Sequence, residues 1–492
     1  MKKLLLLILI LAPLSSFNAH SRGYWTAEWT ASARFSGGSG QYLPYWAHTG
    51  TNGVVPSASG GVLTAGVDVS CKVPSGFFFE SGVNLAGWAA EDKVQGAAQV
   101  RGMVDRLYVG AGWKMLRVDV GMLPHHKELG NLSITGGNMM WSSNARNIPG
   151  VNLKSDWIYP LKWFAFRGNL AHYKMIDSRS VQGTLLHDKS LEVRFDITSG
   201  LAVCAGLEHI AQWGGVSRKY GPQPSSFSDY VRVFFAQSGG RDASVSDQTN
   251  VIGNHLGREF IRMEWKDDRF GLVFQYDKPF EDGSGVRFQN FPDGVWTLKY
   301  DLKDRKAFVT EVVYEFINTT WQSGPLHERP ATEEEMKGQD PSDPFYGYIS
   351  LKGRDDYFNN SMYMSGWTNH GRVIGLPLLG GLVYGDDGVV TEISCNRVRA
   401  HHLGVGGNLN ERCPYAFKST YSRNYGRYGQ QDGSMYSGAP WQLSMALEVG
   451  VPGNMTRLPV DFWIGAYADL GQMYPDTFGL SVKIIYCGSR TF

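Results

Sequence analysis

Charge is scarce in this chain. Asp, Glu, Lys and Arg make up 19% of its 492 residues, against about 25% in soluble proteins. The deficit argues against a string of soluble β-sandwiches, whose exposed faces would be richer in charge, and no break in composition marks a linker between such domains. Long apolar runs are missing too. After the first 19 residues nothing approaches the roughly 20 consecutive apolar residues of a membrane-spanning helix. Cysteine is sparse: Cys71, Cys204, Cys395, Cys413 and Cys487 are odd in number and widely spaced. That excludes a disulfide framework, and no Cys-x-x-Cys motif offers a metal or redox site. Cys395 and Cys413 could pair across a loop in an oxidising compartment; otherwise the cysteines read as small apolar strand residues. The net charge is +1, which gives no global reason to bind nucleic acid.

What is abundant is glycine and aromatic side chain: 60 Gly, 25 Phe, 24 Tyr and 15 Trp. From Leu458 to Leu470 every even position is apolar, while Asp461, Trp463, Tyr467 and Asp469 fall between. A period of two is a strand with one apolar and one mixed face. The pattern recurs at 25–35, 191–197, 270–276 and 441–449. Further candidates lie near 62–71, 76–88, 98–109, 113–122, 161–170, 201–213, 230–236, 258–266, 294–300, 306–317, 392–402 and 479–487. Val73-Pro74-Ser75-Gly76, Asp267-Asp268 and Val451-Pro452-Gly453-Asn454 are short hairpin signals. Long polar loops fall at 131–160, 238–257, 322–344 and 404–440, with Glu333-Glu334-Glu335 reading as a solvated run. Met364–Tyr384, apolar but broken by Gly and Pro, is expected to fold inside a lumen or beneath it.

Residues 1–19 read as an export signal: Lys2 and Lys3, an apolar stretch from Leu4 to Leu14, and Ala19 suited to cleavage. Losing them moves the net charge to −1 and leaves 20–492 as one unit. An exported, strand-rich chain without a spanning helix predicts an all-β fold, a transmembrane antiparallel β-barrel with an even strand number between about 16 and 20. Phe492 ends the last alternating run, as in chains inserted into the bacterial outer membrane.

The segment Gly130–Val151 contains Ser142, Asn144, Ala145, Arg146, Ile148 and Pro149, and resembles the Ser-x-Asn-Ala-Arg-x-Ile-Pro loop of Wzi-type capsule-assembly proteins. Glu208–Gly215 and Gly253–Gly257 are similar to further family segments, and Tyr421–Gly426 to one in members from Bacteroidetes. The resemblance runs in patches over most of the mature chain. It implies a barrel of about 18 strands with its lumen occluded by loops, a small helical periplasmic part, and a non-catalytic, lectin-like role in anchoring capsular polysaccharide. The chain departs from enterobacterial members by long insertions, notably 322–344, and shows no helical periplasmic segment by periodicity.

A polysaccharide site needs aromatic faces for C–H surfaces and guanidinium forks for acidic sugars. Residues 397–430 are rich in both, and the expected contacts are Trp141, Asn144, Arg146, Arg397, Arg399, Tyr421, Arg423, Tyr425 and Arg427. The alternatives are a loop whose cations pair with lumen carboxylates or lipopolysaccharide phosphates, and a buried plug packed by Trp141 and pinned by Arg146. Catalytic signals are weak. His125-His126 lacks the second histidine of His-Glu-x-x-His, no Gly-x-Ser-x-Gly elbow is present, and His187, His209, His255 and His401-His402 are scattered. The expectation is therefore an outer-membrane protein, not an enzyme, with no cofactor or metal. Its expected partners are capsular or exopolysaccharide, outer-membrane lipid and lipopolysaccharide, and polysaccharide-export machinery, with no nucleic acid. A solute or oligosaccharide channel and an outer-membrane hydrolase are the alternatives.

Overall fold

The computed structural model describes residues 23–92, 97–238, 251–324, 328–339, 341, 346–350, 355–428 and 434–492; the export signal read at 1–19 lies outside them. Eighteen strands form one closed antiparallel cylinder. They are β1 Tyr24–Gly38, β2 Gly60–Lys72, β3 Phe77–Asp92, β4 Ala97–Trp113, β5 Leu116–Met122, β6 Pro149–Ser155, β7 Phe164–Lys174, β8 Leu185–Asp196 and β9 Leu201–Trp213. The series continues with β10 Asn254–Lys266, β11 Phe270–Phe280, β12 Gly294–Leu302, β13 Glu311–Asn318, β14 Val398–Leu409, β15 Cys413–Asn424, β16 Trp441–Val451, β17 Asp461–Gly471 and β18 Thr477–Thr491. A short strand, Ile158–Leu161, pairs with β7 beside β6. β1 pairs with β18 from Thr26↔Thr491 to Gly38↔Gly479. Closure leaves no sheet edge, which is what allows strands to sit in lipid.

The alternation is resolved as apolar outside and polar inside. Phe35, Leu480 and Ile464 are exposed on the outer wall. Arg34, Tyr467 and Ser481 point inward and bond one another: Arg34 donates to Tyr467 Oη at 2.9 Å, and Tyr467 Oη lies 2.9 Å from Ser481 Oγ. Ring pairs lie near both ends of the wall. Phe77–Trp113, Phe164–Phe195 and Phe270–Tyr300 mark the end that carries the chain termini and short turns. Tyr276–Trp296 and Tyr421–Trp441 mark the other. Two aromatic girdles flanking an apolar band are the outer-membrane pattern. The ends are called lower and upper here.

Every long connection leaves from the upper end, and three of them turn back into the bore. Segments 39–59, 123–148 and 319–397 contribute Leu43, Trp46, Met139, Met140, Trp141, Trp367, Leu376 and Leu379 to one buried cluster. Inward wall residues Tyr173, Leu186, Ile210, Leu256, Val295, Ile317, Ala400 and Ala446 join it, as do Met175 and Tyr436 from two further upper connections. The expectation that Met364–Tyr384 folds inside the lumen agrees with this packing.

Several sequence expectations are corrected. Residues 230–236 are not a strand: α1, Phe227–Phe234, is a helix. Ser226 Oγ accepts from Asp229 N–H, and the Asp229 carboxylate accepts from Ser226 N–H. This reciprocal cap fixes a helix start that β-branched valines disguise. Two barrel strands lay hidden in supposed loops, β6 within 131–160 and β15 within 404–440, because their lumen faces are polar. The region 392–402 is divided between a plug strand, Val390–Cys395, and β14. Cys395 and Cys413 do not pair. All five cysteines are free; Cys395 is buried in the plug, whereas Cys413 opens β15 at the lower end beside Met455.

Candidate binding site at the mouth of the barrel

The plug is joined to itself by the loop carrying Ser142, Asn144 and Arg146. Ser142 Oγ donates to Gly375 O at 2.8 Å, Asn144 Nδ2 to Val373 O at 2.9 Å, and Leu376 N–H to Met139 O at 2.9 Å. Trp367 Nε1 donates to Met140 O at 2.7 Å. Trp141 stacks on His125 at 3.9 Å and meets Trp367 edge-on at 5.0 Å. Trp141 and Asn144 are therefore packing and pairing elements of the plug.

Above the plug lies a cavity of about 810 Å³ at the upper end. Strands β3 and β4 supply Trp88 and Arg101, which stand directly opposite each other, with the Arg101 guanidinium 5.9 Å from the indole centroid. Plug segments supply Tyr42, Arg146, His370, Arg372 and Tyr384. Arg372 is held by carbonyls: it donates to Val55 O at 2.8 Å and His48 O at 3.2 Å. Arg146 reaches Val104 O at 3.4 Å, and its Nε is buried without a partner. Gly53 sits between these two arginines at φ +63°; a Cβ there would lie 3.0 Å from Arg146 Cγ and 3.5 Å from Arg372 Cδ.

No carboxylate among the described residues ion-pairs with Arg101, Arg146 or Arg372. Burial pulls the Arg146 and Arg372 guanidiniums below their usual range, and burial followed by the Arg146 charge does the same to His370. Asp105 offsets part of the Arg146 charge, and Glu91 and Asp177 line the same cavity, but a partly desolvated cation with no carboxylate in contact is still relieved by an incoming one. The pairing of indole and phenol faces with guanidinium forks suits an acidic sugar.

The nine expected contact residues are dispersed. Only Arg146 lines this cavity. Arg397 stacks on Tyr428 at 3.8 Å and donates to Thr320 O at 3.0 Å, while Tyr425 N–H donates to Arg397 O at 2.8 Å. Arg399, Tyr421 and Arg423 share the outward face of β14 and β15, where Arg399 stands opposite Arg423. Arg427 pairs with Asp356 and, at 2.7 Å, with Glu392, pinning the plug to the rim. Sequence reasoning missed Trp88, Arg101 and Arg372. A bulge explains Arg101: the β3–β4 register shifts between Asn84 and Leu85, so inward residues of β4 change from odd (Gln99, Arg101, Met103) to even (Arg106, Tyr108), whereas Trp88 stays in the regular inward set of β3. Arg372 lay within the segment assigned to the lumen, and it is brought near Arg146 by pairing between the two segments (Asn369 Nδ2 donates to Arg146 O at 2.8 Å) with Gly53 leaving room between them.

Below the plug a second cavity, about 640 Å³, is lined by arginines that are already paired. Arg117 bonds Glu80 at 2.8 Å and Asp119 at 2.6 Å; Arg167 bonds Glu128 at 2.6 Å and Glu192 at 2.7 Å; Arg258 bonds Glu208 at 2.6 Å and Asp277 at 3.3 Å.

No family model and no curated protein matches the sequence. Among solved structures the fold is similar to that of Wzi, an outer membrane protein involved in group 1 capsule assembly in Escherichia coli and described as a carbohydrate-binding β-barrel. The TM-score is 0.52 at 12% identity, covering 93% of this chain and 83% of that one. Pseudomonas aeruginosa OccK5 (OpdH) and OprD align with TM-scores of 0.46 and 0.44, each at 9% identity. They cover 95% and 96% of this chain, and 98% and 97% of their own. The chain has the fold of a bacterial outer-membrane β-barrel.

Proposed function

We propose that this protein is a Wzi-type surface lectin. It is exported by the signal at 1–19, cleaved near Ala19, and retains an acidic capsular or exopolysaccharide at the cell surface without catalysing a reaction. The observation that carries the reading is the mouth cavity, where Arg101, Arg146 and Arg372 form no ion pair among the described residues and stand beside Trp88, Tyr42 and Tyr384. Arg399 and Arg423, on the outer face near the upper end, would contact lipopolysaccharide phosphates in this reading. The likeness to a carbohydrate-binding barrel supports the fold side of the reading. Export machinery would deliver the chain being retained.

The test is binding of uronic-acid-containing and neutral polysaccharides to purified protein in detergent. Acidic chains should bind, and Arg146→Met with Arg372→Met should abolish the preference. Equal binding of neutral chains, or an unaffected double variant, removes the mouth cavity from the function. A second reading, a solute channel, draws on the ion-pair-lined cavity below the plug. Large steady conductance in a planar bilayer would favour it, and a closed bore favours the lectin.

A further inference from the structure

The connection after β9 does something different from the plug segments: α1 lies on the outside of the barrel. Outward-pointing residues of the wall and inward-turned residues of the connection make a separate buried cluster, Ala211, Trp213, Val233 and Ile252, with Leu185 and Tyr230 against it. Tyr230 meets Trp213 at 5.7 Å, His172 at 5.7 Å and His187 at 5.5 Å. Lys189 Nζ, on the outer face of β8, donates to Phe234 O at the helix C-terminus and sits 4.0 Å from that ring.

Beneath the helix the wall is unlike the rest of the upper girdle. Four adjacent strands present histidine outward: His172 on β7, His187 on β8, His209 on β9 and His255 on β10. His187 stands opposite His172 in the register, and His209 Nε2 lies 2.7 Å from His255 Nδ1. His172 Nδ1, His187 Nε2 and His209 Nδ1 are buried without partners. Elsewhere at this end the wall carries Tyr276–Trp296 and Tyr421–Trp441, and among the described residues a lone outward imidazole, His401, which lies 2.8 Å from Tyr314 Oη. Polar imidazoles would be costly against acyl chains. The helix covers them and turns Phe227, Val231 and Phe235 the other way, 81%, 37% and 63% exposed. Spaced four apart, these make one apolar stripe. Ser228 and Arg232 lie along one flank.

We propose that α1 is an interfacial helix that completes the upper girdle over β7–β10, with the Phe227–Val231–Phe235 stripe seated in the headgroup–acyl boundary of the outer leaflet. The stripe is continuous with the lipid-facing wall below it, where Leu170, Leu191 and Leu207 are exposed. That continuity is why lipid, and not a second protein, is its occupant. A short amphipathic helix lying in the interface plane buries such a stripe to about 5–10 Å. The inference is independent of the polysaccharide reading.

The test uses the full chain in phosphatidylcholine vesicles that contain a phospholipid with a diazirine high on one acyl chain. After illumination, adducts should map to Phe227, Val231 and Phe235 as well as to Leu191 and Leu207. The triple variant Phe227→Ser, Val231→Ser, Phe235→Ser should lose at least tenfold of the helix adducts while the wall adducts stay. The wall adducts report that the variant barrel is inserted, so a misfolded variant is recognised. A wild-type helix free of adducts beside a labelled wall overturns the proposal, whether water or a second copy of the chain covers the stripe.

Discussion

The two cavities of the bore are built from the same side-chain chemistry and differ in how it is balanced. Below the plug, Arg117, Arg167 and Arg258 are each gripped by two carboxylates. Above it, Arg146 and Arg372 meet carbonyl oxygens instead. A satisfied ion pair holds the wall and offers little to a ligand. A half-buried guanidinium with no carboxylate in contact keeps more of its fork available. The difference teaches that arginine content does not locate a binding site; the missing counter-charge does.

The comparison breaks most sharply at Arg258. Replacing it with Met leaves Glu208 and Asp277 buried and uncompensated, and should cost about 3–5 kcal/mol, read as a lower urea midpoint for barrel unfolding by tryptophan fluorescence. Acid should act on the plug from both sides. His48, beside Arg372, and His125, on the lower cavity, are lowered to about 3, chiefly by burial and then by neighbouring cations. Their folded values lie under the unfolded value of about 6.5. Plug stability from them is full above pH 6.5 and is lost as pH falls toward 3, by a few kcal/mol each at the limit. Asp293, raised to about 6 mainly by burial, works in the opposite sense: its protonation between pH 6 and 4 adds stability. Limited proteolysis of residues 355–397 should therefore accelerate at pH 4 relative to pH 7, and His125→Gln should blunt the change.

In the mouth, Arg146→Met with Arg372→Met should leave the urea midpoint within about 1 kcal/mol of wild type, because the cost of burying two unpaired cations disappears. Acidic polysaccharide affinity should fall by roughly 10- to 100-fold, each tenfold being about 1.4 kcal/mol. A large loss of stability would mean that these arginines are structural like Arg258. The smallest effect is expected at Trp88→Ala: loss of one cation–π face, about 0.5–1 kcal/mol, seen as a few-fold weaker sugar binding with unchanged salt dependence.

The barrel was legible because its outer face is uniform: sixteen of the seventeen expected strands correspond to regular segments of the described structure, most of them staves. Failures occurred where one face did not set the pattern. β15 alternates Tyr415, Phe417 and Tyr421 outward, but Lys418, Thr420, Ser422 and Asn424 inward, and the polar set reads as loop. The site was less legible, because it is assembled by contacts between distant segments. Arg146 carried a local motif and was found. Arg372 stands 226 positions later and reaches the same cavity through tertiary pairing with the Arg146 loop and the close packing at Gly53. The histidines on β7–β10 looked scattered because strands place one from each in a row only after they pair.

The three segments that fill the bore arrive at very different times along the polypeptide, 39–59 first and 319–397 last. Until the third is threaded, the first two have only the wall to pack against and lack their central partner, since Trp141 and Met140 meet Trp367. Whatever machinery zips β1 to β18 must wait for that late insertion or force a folded lump through a finished ring. A bulky tag spliced into 355–397 should therefore stall biogenesis at an unsealed cylinder, while the same tag after Gln472, in the short loop before β18, should pass.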